Sequence, residues 1–166
     1  MSDILCMYYS RSGNTKTAME ELAKMLGAEV AELSDGVDRS GWKGFVRSGM
    51  DAMRRTIAPI KPFATKKPLG SYKLVILGTP VWAGRCSSVV RGFLKEQGYL
   101  LNDVSYVLLR SGNSKHEEVY QQMDGYLSKP HRTAVSLRAG SVGYHFWQEE
   151  FVRQTQAVLE EESPAN

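Results

Sequence analysis

The chain has 166 residues, 42% of them hydrophobic and 23% charged, with a formal net charge of +3. That balance excludes a disordered or fibrous chain and suits one globular domain over 1–166, large enough to bury roughly two-thirds of its unfolded surface. No apolar run is long enough to span a bilayer, and the scattered basic residues give no nucleic-acid footprint.

A strand over Ile4 to Tyr8 opens the chain and runs into Met7-Tyr8-Tyr9-Ser10-Arg11-Ser12-Gly13-Asn14-Thr15. A helix follows at once, with Ala18, Leu22, Met25 and Leu26 on one stripe. A strand-turn-helix of this kind aims backbone N–H groups and the positive end of a helix dipole at one point, a place for a phosphate. Ser10, Ser12 and Thr15 add hydroxyl donors and Asn14 an amide. The loop has no lysine and one glycine, so it is neither G-x-x-x-x-G-K-[ST] nor G-x-G-x-x-G. Neutral donors suit a resident monophosphate better than a nucleotide that turns over. The competing reading is an ordinary serine-capped helix start.

Glu29 to Leu33 is short and half polar, as an edge strand is. Trp42, Phe45, Val46, Met50 and Met53 form the stripe of a second helix after Ser40 as its cap. A long irregular connection through Pro59, Pro62 and Pro68 follows, able to reach the mouth of a site. Lys73 to Thr79 is a continuous apolar run, as in a central parallel strand covered on both faces.

Gly78-Thr79-Pro80-Val81-Trp82-Ala83-Gly84 comes next, a stiff turn with an indole at its tip against which a planar ligand can lie. Taken alone, Trp82 reads equally well as a core residue at a strand end. Cys86 opens the third helix, whose apolar face is Val89, Val90, Phe93 and Leu94. Val104 to Leu109 is another buried strand, followed by the polar turn Arg110-Ser111-Gly112-Asn113-Ser114. A fourth helix carries Val119, Met123, Tyr126 and Leu127. Thr133 to Leu137 is a last, edge-like strand, and the final helix carries Trp147, Phe151, Val158 and Leu159 before a frayed tail over 160–166.

Strands alternating with helices specify a doubly wound, three-layer α/β sandwich with right-handed crossovers. Ligands of such sheets bind beyond the carboxyl ends of the strands, and three polar loops converge there. The residues exclude several relatives of this outline. A receiver domain needs an acidic pair where Tyr8-Tyr9 stand; a small tyrosine phosphatase needs five residues between cysteine and arginine, and Cys6–Arg11 and Cys86–Arg91 enclose four. His116, His131 and His145 lack ligand spacing with either cysteine, so no metal is expected. His116 reads as an exposed residue at a helix start. Cys6 and Cys86 read as reduced, structural thiols of a cytoplasmic protein, and no secretory leader is expected.

With Ser10 to Thr15, Gly-Thr-Pro-Val-Trp-Ala-Gly and Ser111-Gly112 in place, the chain resembles the flavodoxin-like family of FMN-binding proteins in its short-chain form. The resemblance implies a five-stranded parallel sheet in the order 2-1-3-4-5 and a non-covalent FMN. It implies that Ser10, Ser12, Asn14 and Thr15 hold the FMN phosphate, with Arg11 and Gly13 giving backbone N–H groups. Thr79, Pro80, Val81, Trp82, Ala83 and Gly84, with Ser111, Gly112 and Asn113, would flank the isoalloxazine. Electron-carrying flavodoxins are strongly acidic, whereas this chain is slightly basic. Two functions follow: a carrier that passes electrons to a redox partner protein, slightly favoured on the chain's small size, or an NAD(P)H-dependent reductase of a quinone or small molecule. The oligomeric state stays open.

Overall fold

β1 (Ile4–Tyr8) is buried along its whole length, because helices cover both faces of the sheet. The computed structural model describes residues 2–57 and 59–162. β1 pairs in parallel with β2 (Glu29–Glu32) and β3 (Leu74–Trp82); β5 (Asp103–Arg110) joins β3, and β6 (Ala134–Arg138) joins β5. The order β2-β1-β3-β5-β6 is that expected for the parallel strands, 2-1-3-4-5 when they alone are counted. A two-residue strand, β4 (Arg85–Cys86), adds to β3 in antiparallel fashion.

Alternation along the strands sorts the core into two halves. Leu5, Met7, Val75, Leu77, Tyr106 and Leu108 face α2 (Gly41–Met53), α3 (Ser88–Gln97) and α4 (Glu118–Asp124). Ile4, Cys6, Leu74, Ile76, Val107 and Leu137 face α1 (Asn14–Leu26) and α5 (Tyr144–Glu162). Among the described residues no helix is long and apolar enough to cross a membrane.

The structure departs from the sequence reading in four places. The third strand continues past Thr79 to Trp82 and turns on Ala83 (φ 49°) and Gly84 (φ 73°) into β4. Two successive positive φ values make a type I′ hairpin, whose twist matches its strands. Cys86 therefore lies in β4, and α3 starts after it, where the Ser87 hydroxyl accepts a hydrogen bond from the Val90 N–H at 3.1 Å. Tyr126 and Leu127 lie beyond α4, which ends at Asp124 before Gly125, although both still pack on the core. α5 runs through Glu162, so 160–162 are helical, and 163–166 of the expected frayed tail lie outside the described residues.

The fourth departure is the orientation of α2. Its large apolar stripe points outward, with Trp42 74% and Phe45 64% exposed, while Gly44, Ser48 and Ala52 are buried. A Cβ on Gly44 would sit 1.9 Å from the Arg39 carbonyl oxygen, so only the small-residue face can come this close. Gly44→Ala is therefore expected to cost about 2–3 kcal/mol through overpacking against rigid backbone. Gly49, with nothing within 4 Å of its added Cβ, is the control, since Gly49→Ala in the same helix should stabilise. Urea denaturation of the two variants measures the contrast.

Candidate functional site

β1 delivers the chain to the sheet's carboxyl edge, where the Tyr9 N–H donates to the Gly78 carbonyl at 3.2 Å. The chain then turns through Ser10–Gly13. The Ser10 hydroxyl accepts from the Gly13 N–H at 3.0 Å, and Gly13 takes φ 100°, a value that only glycine adopts readily. α1 begins at Asn14 with no side-chain cap and no acidic residue in its first turn. Its first N–H groups thus have no partner within the helix, and the dipole adds positive potential there.

Around this helix end lies a cleft of about 100 Å³. Arg11, Ser12, Asn14 and Thr15 line one side. Pro80, Val81 and Trp82 from the end of β3, and Leu109, Arg110 and Ser111 from the end of β5, form the rest with Phe45 and Ala139. Among the described residues the lining includes two arginines and no acidic residue, so it favours an anion.

Trp82 is a fixed wall and not an exposed indole at a loop tip; it is 8% exposed. Tyr9 meets it edge to face with ring centroids 5.5 Å apart, and the Arg39 guanidinium lies 5.0 Å from its ring centroid. Arg39 is itself held by Asp35 at 2.8 Å, Asp51 at 2.9 Å and the hydroxyls of Ser48 and Ser88. The network locks the Trp82 rotamer from behind and ties the segment after β2 to α3. Arg11 lies across the Phe45 ring at 5.5 Å and donates to the Arg39 carbonyl at 3.3 Å.

The other expected residues surround the cleft without lining it. Thr79 is fully buried; its hydroxyl accepts from the Ser87 N–H at 3.0 Å and donates to the Pro80 carbonyl at 2.9 Å, stapling the hairpin to α3. Ala83 and Gly84 form the hairpin tip. The Gly112 carbonyl accepts from Arg110 at 2.6 Å and the Asn113 side chain from Arg138 at 2.5 Å, so both brace the turn after β5. His116 sits at the start of α4 beside Glu118 at 3.2 Å, outside the lining.

Phe45, Leu109, Arg110 and Ala139 were not foreseen as lining residues. Arg110 heads the polar turn after β5, and its charge is the signal in the sequence that marks it. Phe45 belongs to a stripe whose outward direction depends on the Arg39–Gly44 contact, which no periodicity reveals. Ala139 carries no signal at all.

A larger cavity, about 650 Å³, lies at the opposite end of the sheet beside Gly27, Ala28 and Glu29. There α1 presents its carbonyl end, which repels an anion. The two cysteines are free and buried. Burial pushes the Cys6 thiol up to about 12; it raises Cys86 also, against the opposing pull of Arg91. Native protein at pH 8 should therefore leave both thiols unreacted with iodoacetamide, and unfolding in urea should expose two. Since the unfolded thiols ionise near 9, stability should fall as pH rises from there toward 12. One rapidly alkylated thiol in the native state would contradict this.

No family model matches the chain. An NAD(P)H dehydrogenase (quinone) from Paracoccus denitrificans is 31% identical over 110 residues, covering 60% of this chain and 47% of that protein. The chain spans about half the length of the curated relatives it matches. Among solved structures, a flavoprotein from Lactobacillus acidophilus in complex with FMN aligns with a TM-score of 0.66 at 20% identity, covering 89% of this chain and 99% of that one. A WrbA-like flavodoxin from Agrobacterium tumefaciens aligns at 0.62 with 14% identity, covering 98% and 100%. The fold of this chain is flavodoxin-like.

Proposed function

We propose that this flavodoxin-like chain holds one FMN non-covalently at the carboxyl ends of β1, β3 and β5 and works as a redox protein. The observation that carries the reading is the start of α1, which has no side-chain cap and opens into a cleft lined, among the described residues, by two arginines and no acidic residue. Those residues fit the cofactor. Ser12, Asn14, Thr15 and the free N–H groups suit a terminal phosphate, and Ser10 and Gly13 hold the turn that presents them. Pro80, Val81 and Trp82 on one side and Ser111 on the other suit a flat ring. The enclosed space equals only a few water molecules, so the ring would rest across the mouth with an edge in solvent.

When bound, the flavin supplies electron or hydride transfer at its N5, while the protein binds and orients it. The apolar wall of Val81 and Trp82 disfavours added negative charge on the ring and so lowers its potential. An exposed ring edge suits exchange with a partner protein. The names of the curated relatives favour a second reading, reduction of a quinone by NAD(P)H. The buried free cysteines support a cytoplasmic setting.

One experiment separates the readings. FMN-loaded protein is mixed anaerobically with NADPH, with no other protein present. Bleaching of the yellow colour, restored by a quinone, supports the reductase. Colour that bleaches only when a separate reductase is added supports the carrier. Protein that takes up no FMN contradicts both.

A further inference from the structure

Arg91 lies on the buried face of α3 and is 3% exposed, yet among the described residues no carboxylate pairs with it. Its guanidinium reaches two backbone carbonyls, those of Thr56 and Cys86, each at a long 3.4 Å, and the neutral Cys86 thiol. Arg39, equally buried in the same chain, is charge-neutralised by two carboxylates and bonded to two hydroxyls, although its Nε has no hydrogen-bond partner among the described residues. A buried cation without a counter-charge is costly and rarely left so.

Arg91 is not alone. It lines a cavity of about 210 Å³ with Arg55, Arg85, Cys86, Gln122 and Tyr126, and among the described residues no acidic one lines it. The Nε of Arg85 is buried and has no hydrogen-bond partner among the described residues. Arg55 comes from the turn that ends α2, where it holds φ 54°, a left-handed conformation that non-glycine residues seldom take. Three arginines from α3, β4 and the end of α2 thus line one cavity, and among the described residues no carboxylate pairs with any of them.

We propose that this cavity is a second anion site, which takes the phosphate group of a small molecule between Arg55, Arg85 and Arg91. Planar guanidinium forks match the oxygens of a phosphate in pairs and are favoured where such groups are recognised. The volume holds about seven waters' worth of space, enough for a phosphate and the start of its ester but not a whole dinucleotide. The site shares no lining residue with the cleft, from which the β3–β4 hairpin separates it; Arg85 pairs across that hairpin with Trp82. It stands whether or not the cleft holds FMN.

Calorimetric titration of the full chain with inorganic phosphate, at ionic strength matched with sodium chloride, tests it. Because phosphate can also enter the cleft, the titration is run in Ser12→Glu, where a carboxylate closes that route. Saturable binding should persist in Ser12→Glu and weaken at least tenfold when Arg85→Gln, a half-exposed position, is added. Arg55→Gln gives a second variant at an exposed position. No binding beyond that of chloride in Ser12→Glu, or binding unchanged by both arginine variants, overturns the proposal. A further titration finds the source of the phosphate. NADPH favoured over NADH, with the preference lost in Arg85→Gln, supports the site with a nucleotide as its ligand. Phosphate binding without such a preference supports it for a free anion or another phosphate ester.

Discussion

Arg39→Ala should lower folding stability by about 3–5 kcal/mol, the loss expected when one partner of a buried ion network is removed. The side chains of Arg39 and Asp35 are each 2% exposed, so the substitution strands a carboxylate away from water. It also leaves the Ser48 and Ser88 hydroxyls without their donor and takes the cation from behind Trp82. Arg39→Lys should recover little, because one ammonium cannot serve two carboxylates and two hydroxyls in fixed directions. The surface pair Arg153–Glu150 is the contrast: solvent screens it, so Arg153→Ala should leave stability nearly unchanged. Urea unfolding of the three variants, with equal slopes, gives the comparison. A loss below about 1 kcal/mol for Arg39→Ala would show that the network contributes nothing beyond its replacement by water.

Ser12→Glu should nearly abolish FMN binding while leaving the fold intact. Ser12 lines the cleft beside the start of α1, where a carboxylate is tolerated by the helix itself. Towards a phosphate about 5 Å away it is a like charge, worth roughly 3 kcal/mol of repulsion at an effective dielectric constant near 20. That converts to more than a hundredfold in Kd. Ser12→Ala removes only a charge-assisted hydrogen bond and should cost about 1–3 kcal/mol. The pair of variants separates charge from contact, and unfolding curves for each confirm that the fold survives.

Much of the fold was legible because its signals are local. The buried runs around Leu74–Leu77 and Val104–Leu109 can only be central strands, and the alternating elements leave few topologies open. The strand, turn and helix start around Ser10–Thr15 were legible for the same reason, since they lie within a dozen residues. What escaped depends on contacts between distant parts. The outward face of α2 follows from Gly44 lying on the Arg39 backbone, and the rigidity of Trp82 from Arg39 reaching it across the fold. Ala83 at φ 49° gave no sign of a hairpin, because alanine is not a residue that turn chemistry leads one to expect there. Arg91 could not be told from a surface arginine until α3 was seen to bury it.

The central claim is that the cleft at the start of α1 recognises a flavin through its phosphate. Calorimetric titration of the cofactor-free protein with FMN and with riboflavin, side by side, tests it most directly. The account predicts one FMN per chain and far weaker binding of riboflavin, which has the same ring and no phosphate. Equal affinity for the two, or binding of neither, would contradict it.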